Sequence, residues 1–97
     1  MSKLRKAAQG RECMVRIPDI CNRDPATTVL AHYRLAGCNG MGLKPDDALG
    51  AWCCSSCHDA VDGRTNLDGT HTRDHLRLFH AEGVMRTFDA LRREGLL

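Results

Sequence analysis

The chain has few aromatic side chains, few prolines and no long apolar run. Its 97 residues include two phenylalanines, one tyrosine and one tryptophan, so large rings contribute little to the core. A chain of this length is expected to form a single domain over residues 1–97 with a modest apolar core. Domains this small commonly need a further source of stability, such as a bound metal ion or disulfides.

The sequence also lacks segments that would direct it into or across a membrane. No stretch approaches the length and apolarity of a transmembrane helix, and no amino-terminal apolar run resembles a signal peptide. Internal repeats and low-complexity segments are absent as well. We therefore expect a cytoplasmic protein with no membrane partner. In that reducing compartment, closely spaced cysteines indicate zinc ligands before disulfides.

Six cysteines are the most specific signal in the chain. Two of them are separated by two residues, as in a zinc knuckle, and two others form a looser pair upstream. The predicted ligands of one closed, structural zinc ion are Cys13, Cys21, Cys54 and Cys57. Cys53 could replace its neighbour as a ligand, although its spacing to the last cysteine fits less well. We interpret Cys53 and Cys38 as free thiols.

The residue pattern predicts a small α+β fold that resembles a treble clef. It places a strand-like segment at residues 13–18, strands at 27–33 and 48–52, a loop at 34–47, a helix at 55–63 and a second helix from Thr70 or Thr72 to about Arg93. We divide the domain into a basic leader (1–12), a zinc knuckle and core (13–64) and a helical extension (70–94). Gly83 could divide the last helix, and Gly95 ends it.

An apolar stripe runs along the last helix at helical spacing. Its members are Ala81, Val84, Met85, Phe88 and Leu91. The stripe could complete the core or pair two copies of the chain, so a homodimer through this helix is one hypothesis.

Three polar positions suggest chemistry next to the predicted zinc site. His32 ends an apolar strand and could be a general base, although a buried, hydrogen-bonded histidine is the simpler interpretation. His58 and Asp62 are four residues apart on a helix and could bind a divalent cation or merely bond to each other. Asp46 and Asp47 could add a ligand or orient the base.

Three further histidines follow on the last predicted helix, at His71, His75 and His80. No cysteine or carboxylate set accompanies them in the sequence. We interpret them as surface or packing residues.

The charge distribution indicates an anionic partner. Residues 1–16 carry five basic side chains against one glutamate, whereas residues 17–63 carry three basic and six acidic ones. A basic arm beside an acidic centre suits a protein that binds a polyanion and holds a divalent cation. A solvated, disordered tail is the alternative interpretation of the leader.

These residues resemble the HNH, or ββα-metal, nucleases. Residues 30–32 (Leu-Ala-His) match the strand that carries the base, and residues 54–58 (Cys-Ser-Ser-Cys-His) match the knuckle and metal histidine. The chain is most similar to the short prophage YbcO-like family of predicted nucleases. The further matching segments are residues 4–8, 11–13, 16–18, 29–32 and 44–45. Ala31 departs from the HNH pattern, which commonly has an acidic residue or histidine there, and Asp47 is the polar residue nearest the expected asparagine.

The resemblance implies a phage-type endonuclease that hydrolyses DNA phosphodiester bonds. His32 would be the general base, and Mg²⁺, Mn²⁺ or Ni²⁺ would bind at His58 and Asp62. The leader, with Arg34, Lys44 or Arg64, would contact phosphates without strong sequence specificity. The alternative is a non-catalytic, zinc-stabilised adaptor or nucleic-acid-binding protein on the same scaffold.

Overall fold

The structure is a computed structural model that describes residues 3–35, 47–64 and 71–97. Its elements are α1 (Lys3–Ala8), β1 (Val29–His32), β2 (Gly50–Cys53), α2 (Ser55–Val61) and α3 (Arg73–Arg93), with short 3-10 turns at Pro25–Thr27 and Asp47–Leu49. The predicted α+β class is confirmed. Most of the predicted loop, with Cys38, Lys44 and Asp46, lies outside the described residues.

Strands β1 and β2 form an antiparallel pair with both faces covered. Leu30 lies opposite Trp52, and Ala31 lies opposite Ala51. Because side chains alternate along a strand, the first pair contributes to one core cluster and the second to another. Leu30 and Trp52 pack with residues of α1 and the end of α3. Ala31 and Ala51 pack with the cysteines and the start of α3.

Helix α3 is continuous and ends as its sequence predicts. The Thr72 hydroxyl accepts a hydrogen bond from the backbone N–H of His75, which caps the first turn. Gly95, with φ at +75°, follows the last turn. Gly83 does not divide the helix. A Cβ atom at this position would lie 2.8 Å from Val15 Cγ2, so Gly83 instead allows α3 to approach the 13–17 segment closely.

The buried face of α3 differs from the apolar stripe in the sequence. The buried residues of this helix are Leu76, His80, Gly83, Thr87 and Leu91. They recur at helical spacing, but three of the five are not apolar side chains. Met85 and Phe88 are instead 63% and 45% exposed. The stripe therefore contributes Leu91 to the core and leaves much of its apolar surface on the outside.

Residues 13–18 do not form the predicted strand. This segment is irregular and bends at residues 14 and 15. One backbone hydrogen bond, from Met14 N to Trp52 O at 2.7 Å, connects it to β2. Arg16 then takes a left-handed conformation with φ at +55°, which an extended strand cannot contain. Burial still alternates, since Cys13, Val15 and Ile17 all face the core.

The described helices contain no candidate for a membrane span. None combines sufficient length with sufficient apolarity.

Candidate active site and metal centre

The structure brings four cysteine sulfurs together. The sulfur atoms of Cys13, Cys21, Cys54 and Cys57 all lie within 4.8 Å of one another. The sulfurs of Cys21 and Cys54 are 3.8 Å apart. Tetrahedral zinc with bonds of about 2.3 Å requires sulfur–sulfur separations of about 3.8 Å, so this donor set fits zinc.

Local backbone geometry positions these sulfurs. Cys54 is the N-cap of α2, and its sulfur accepts a hydrogen bond from Cys57 N at 3.4 Å. The Arg16 backbone N–H donates to Cys13 Sγ at 3.5 Å. In both turns a backbone N–H points at a sulfur three residues back, which favours the thiolate that zinc requires.

Cys53 is a fifth cysteine beside this cluster, and it is buried. Hydrogen bonds from Cys53 and Cys57 hold the pKa of the Cys13 thiol far below its ordinary value. The same contact with Cys13 raises the pKa of both donors. Cys53 is not among the four sulfurs that lie within 4.8 Å of one another, so the geometry leaves it outside the ligand set. It lies on β2, whereas Cys54 begins the turn into α2.

His32 forms a short contact with Asp47. The distance from His32 Nε2 to Asp47 Oδ1 is 2.6 Å, and both side chains are about four-fifths buried. A carboxylate only accepts hydrogen bonds, so Nε2–H donates and the lone pair of the neutral ring lies on Nδ1. The geometry favours the orienting role for Asp47, because its carboxylate fixes the tautomer and the ring plane.

The basic leader reaches the same carboxylate. Arg5 on α1 places Nε 3.3 Å from Asp47 Oδ1. Helix α1 also supplies Ala8 to the core cluster around Trp52. The leader is thus helical from Lys3 to Ala8, and one of its arginines lies beside the His32–Asp47 pair. Lys3 and Lys6 on the same helix are exposed.

His58 and Asp62 meet on one face of α2. The distance from His58 Nε2 to Asp62 Oδ2 is 3.1 Å, which is that of a direct hydrogen bond, and both side chains are partly exposed. Two adjacent ligands bound at about 2.1 Å to one cation lie about 3 Å apart, so the same separation is compatible with a shared cation. Arg64 Nη2 lies 3.1 Å from Asp62 Oδ2, and Arg64 Nε lies 3.2 Å from Asp59 Oδ1.

Among the described residues, the four cysteines are the only group of three or more candidate ligands placed to hold one metal ion. His58 and Asp62 therefore provide two protein ligands. The remaining positions of a cation there would fall to water or a phosphate oxygen.

His80 is the site residue that sequence reasoning missed. It is only 7% exposed, its Nε2 lies 3.0 Å from the carbonyl oxygen of Ala31, and its ring packs 5.0 Å from that of Tyr33. It thus contacts both neighbours of His32. Burial lowers its pKa, the Ala31 carbonyl opposes this, and the charges of Asp62 and His58 also act on it.

A surface or packing role was predicted for His80, but its place under the strand was not. The available signal was its spacing from Leu76 and Leu91, which puts it on the buried face of α3. The other two histidines lie elsewhere. His71 Nε2 contacts the Pro18 carbonyl at 3.1 Å, and the His75 side chain is exposed.

Comparisons with known proteins agree with one another. A sequence profile of the family described as "Putative nuclease YbcO" matches residues 2–96. The curated protein "Putative nuclease YbcO" of Escherichia coli (strain K12) is 46% identical over 98 residues, which covers 100% of this chain and 98% of that protein. A protein of Enterobacteria phage 82 with the same description matches equally well.

One solved structure is similar to this chain along nearly the whole length of both. It is described as "Structure of a putative bacteriophage protein from Escherichia coli str. K-12 substr. MG1655". The TM-score is 0.80 at 41% identity, and the match covers 96% of this chain and 100% of the solved one.

Proposed function

The chain belongs to the YbcO nuclease family, and from this premise we propose that it is a metal-dependent DNA endonuclease of prophage type. The substrate is the DNA phosphodiester bond, and the products are a phosphate-bearing end and a free hydroxyl. His32 is the general base. A divalent cation, Mg²⁺, Mn²⁺ or Ni²⁺, binds at His58 and Asp62.

The observation that supports this proposal most strongly is the 2.6 Å contact between His32 Nε2 and Asp47 Oδ1. A histidine buried only for packing needs one hydrogen-bond partner and no particular lone-pair direction. Here an acidic side chain from the turn before β2 fixes the ring, and Nδ1 keeps its lone pair. A base oriented by a carboxylate is the arrangement that general-base catalysis uses.

The proton transfer follows from this geometry. Nδ1 of His32 accepts a proton from a water molecule as the water oxygen attacks phosphorus. The phosphorus–oxygen bond to the leaving sugar breaks, and the leaving oxygen takes up a proton from solvent. Asp47 stays ionised and stabilises the imidazolium that His32 becomes.

The cation would supply charge neutralisation at the phosphate. His58 and Asp62 hold it through one nitrogen and one oxygen, and their 3.1 Å separation is compatible with this assignment. His80 lies beneath this region, where its Nε2 is 3.0 Å from the Ala31 carbonyl oxygen of the strand that carries His32. Arg64, already bonded to Asp62, is positioned to contact a phosphate oxygen.

DNA is bound mainly through its phosphates, with little sequence preference. Lys3 and Lys6 on α1 are exposed, and Arg5 of the same helix lies at Asp47. Arg34, two residues after His32, is exposed as well. Such contacts release counterions from DNA, so affinity falls steeply as salt is raised.

The four-cysteine site binds structural zinc in this proposal. With β1, β2 and α2 it forms a treble-clef-like ββα-metal unit, and α3 is a helical extension packed against it. Zinc joins the segment around Cys13 to the start of α2, and the unit works in the cytoplasm, where thiolates stay reduced.

Cleavage of supercoiled plasmid by zinc-loaded protein tests the proposal. We expect no cutting after removal of the second metal with a mild chelator that leaves zinc in place, and cutting when Mg²⁺, Mn²⁺ or Ni²⁺ is added. DNA binding without cutting under every metal condition would contradict the nuclease proposal. It would favour the non-catalytic adaptor, which needs neither His32 nor His58.

A further inference from the structure

The outer face of α3 carries an apolar patch, formed by Leu78, Ala81, Met85 and Phe88. The three large side chains are 55%, 63% and 45% exposed, respectively. At about 100° per residue, the four positions fall within an arc of roughly 80° on the side opposite Gly83. Gly83 itself faces the core at Val15. An apolar stripe directed away from the core is the usual sign of a helix-binding partner.

Charged residues frame the apolar patch in a self-complementary order. Asp74 and Arg77 precede it, and Asp89 and Arg92 follow it; all four are exposed. Residues 77 and 89 are equidistant from residue 83 along the chain, and so are residues 74 and 92. A second α3 in antiparallel orientation, centred on residue 83, would therefore place an acidic group opposite a basic one at all four positions.

The same register matches the apolar side chains. Leu78 falls opposite Phe88 of the second copy, and Ala81 falls opposite Met85, so a small residue faces a long one. A parallel pairing in register would instead place each charge opposite its own kind. The sequence of this face thus distinguishes the antiparallel arrangement from the parallel one.

We propose that α3 pairs with α3 of a second copy of this chain, antiparallel about a two-fold axis that crosses the outer face of the helix midway between Ala81 and Met85. The contact is isologous, since both copies use the same surface: the first half of α3 in one copy meets the second half of α3 in the other. From residue 74 to residue 92 it extends over about 27 Å at 1.5 Å per residue. This inference does not depend on the nuclease proposal.

Existing contacts of the charged residues do not prevent this pairing. Asp89 forms an exposed ion pair with Arg93 at 3.0 Å, and Arg77 lies over the Tyr33 ring at 5.0 Å. Exposed pairs of this kind contribute little to stability. Exchanging them for contacts across the dimer therefore costs little.

Sedimentation equilibrium of the zinc-loaded full chain tests the pairing through a charge exchange. Arg77→Asp alone puts two like-charged pairs across the axis, and so does Asp89→Arg alone. We expect the parent to dimerise in the micromolar range and each variant to shift toward monomer by at least tenfold in dissociation constant. Arg73→Asp, also exposed but beside the patch, is the matched control and should remain dimeric.

Mixing the two variants separates a broken interface from a damaged fold. One chain then carries acidic groups at both positions and the other carries basic groups at both, so every pair across the axis is again opposite in charge. We expect the mixture to recover the dimer. A monomeric parent across the micromolar range, or a dimer that neither variant weakens, would overturn the proposal.

Discussion

His32 Nε2 and Asp47 Oδ1 are 2.6 Å apart, although fifteen residues separate them in the chain. The contact joins the end of β1 to the turn that leads into β2, so the antiparallel strand pairing creates it. Arg5 of the amino-terminal helix contacts the same carboxylate. One acidic side chain therefore connects the candidate base with the basic leader.

Asp47→Asn should reduce cleavage without unfolding the protein. The amide cannot stabilise an imidazolium, and its NH₂ group can favour the wrong ring tautomer. We expect kcat to fall by at least about 100-fold, because the same change in a Ser-His-Asp triad, which also favours the wrong tautomer, costs about 10⁴-fold. Steady-state cleavage of plasmid DNA measures this change. Asp19→Asn, at an exposed position with φ at +65° that asparagine tolerates, is the control and should cut normally.

Replacing a predicted zinc ligand should have a different effect from replacing the neighbouring thiol. Cys54→Ser removes one of the four sulfurs, and because bound zinc can contribute about 10 kcal/mol to the folding of small modules, the variant should be largely unfolded. Cys53→Ser should fold and bind one zinc ion per chain. Zinc content by a colorimetric chelator and circular dichroism report both results. Zinc lost equally from the two variants would contradict the ligand assignment.

The buried His80 should make stability depend on pH. Burial lowers its pKa below the ordinary value in the folded protein. In the unfolded chain, histidine takes up a proton below about pH 6.5, so protonation favours the unfolded state. The free energy of unfolding should thus fall as pH drops below this value. At higher pH, His80 should add no further pH dependence.

His80→Gln isolates this contribution, because glutamine can still donate to the Ala31 carbonyl. Denaturant unfolding between pH 5 and pH 8 should show a weaker acid dependence for this variant than for the parent, within the window set by the histidine pKa of about 6.5. His75→Gln, at an exposed position on the same helix, should follow the parent. Identical slopes for all three proteins would contradict the assignment.

Gly83→Ala should destabilise the protein even though alanine is the better helix former. The added Cβ would lie 2.8 Å from Val15 Cγ2 and 3.1 Å from the Met14 carbonyl oxygen. Overpacking should cost about 1–3 kcal/mol and the better helix propensity should return about 1 kcal/mol, so we expect a net loss of up to about 2 kcal/mol. Urea unfolding measures the change. Glu82→Gly at the adjacent position measures the propensity cost together with the loss of the exposed Glu82–Arg86 ion pair, which contributes little.

Local signals in the sequence predicted the helices and the cysteine cluster well. The Thr72 cap and Gly95 set the bounds of α3 through contacts within a few residues of each end. The two-residue spacing of Cys54 and Cys57 fixes a turn by itself. Such features depend on residues close together in the chain, so they can be recognised from a single sequence without the tertiary structure.

Features that depend on packing were harder to predict. The strand-like alternation at residues 13–18 was misleading, because the left-handed Arg16 turns the chain around the Cys13 sulfur. The apolar stripe of α3 left open which of its members enter the core, because the buried face also contains His80 and Gly83. The His32–Asp47 contact depends on the register of β1 against β2, and spacing along the chain does not determine that register.

The most direct test of the proposed mechanism is imidazole rescue of the His32→Ala variant. The zinc-loaded variant should bind DNA as the parent does but cut plasmid at least about 100-fold more slowly, as expected when a general base is removed. Added imidazole should restore part of the rate in proportion to its unprotonated fraction, and it should leave the parent unchanged. A variant that cuts at the parental rate would contradict the assignment of His32 as the base.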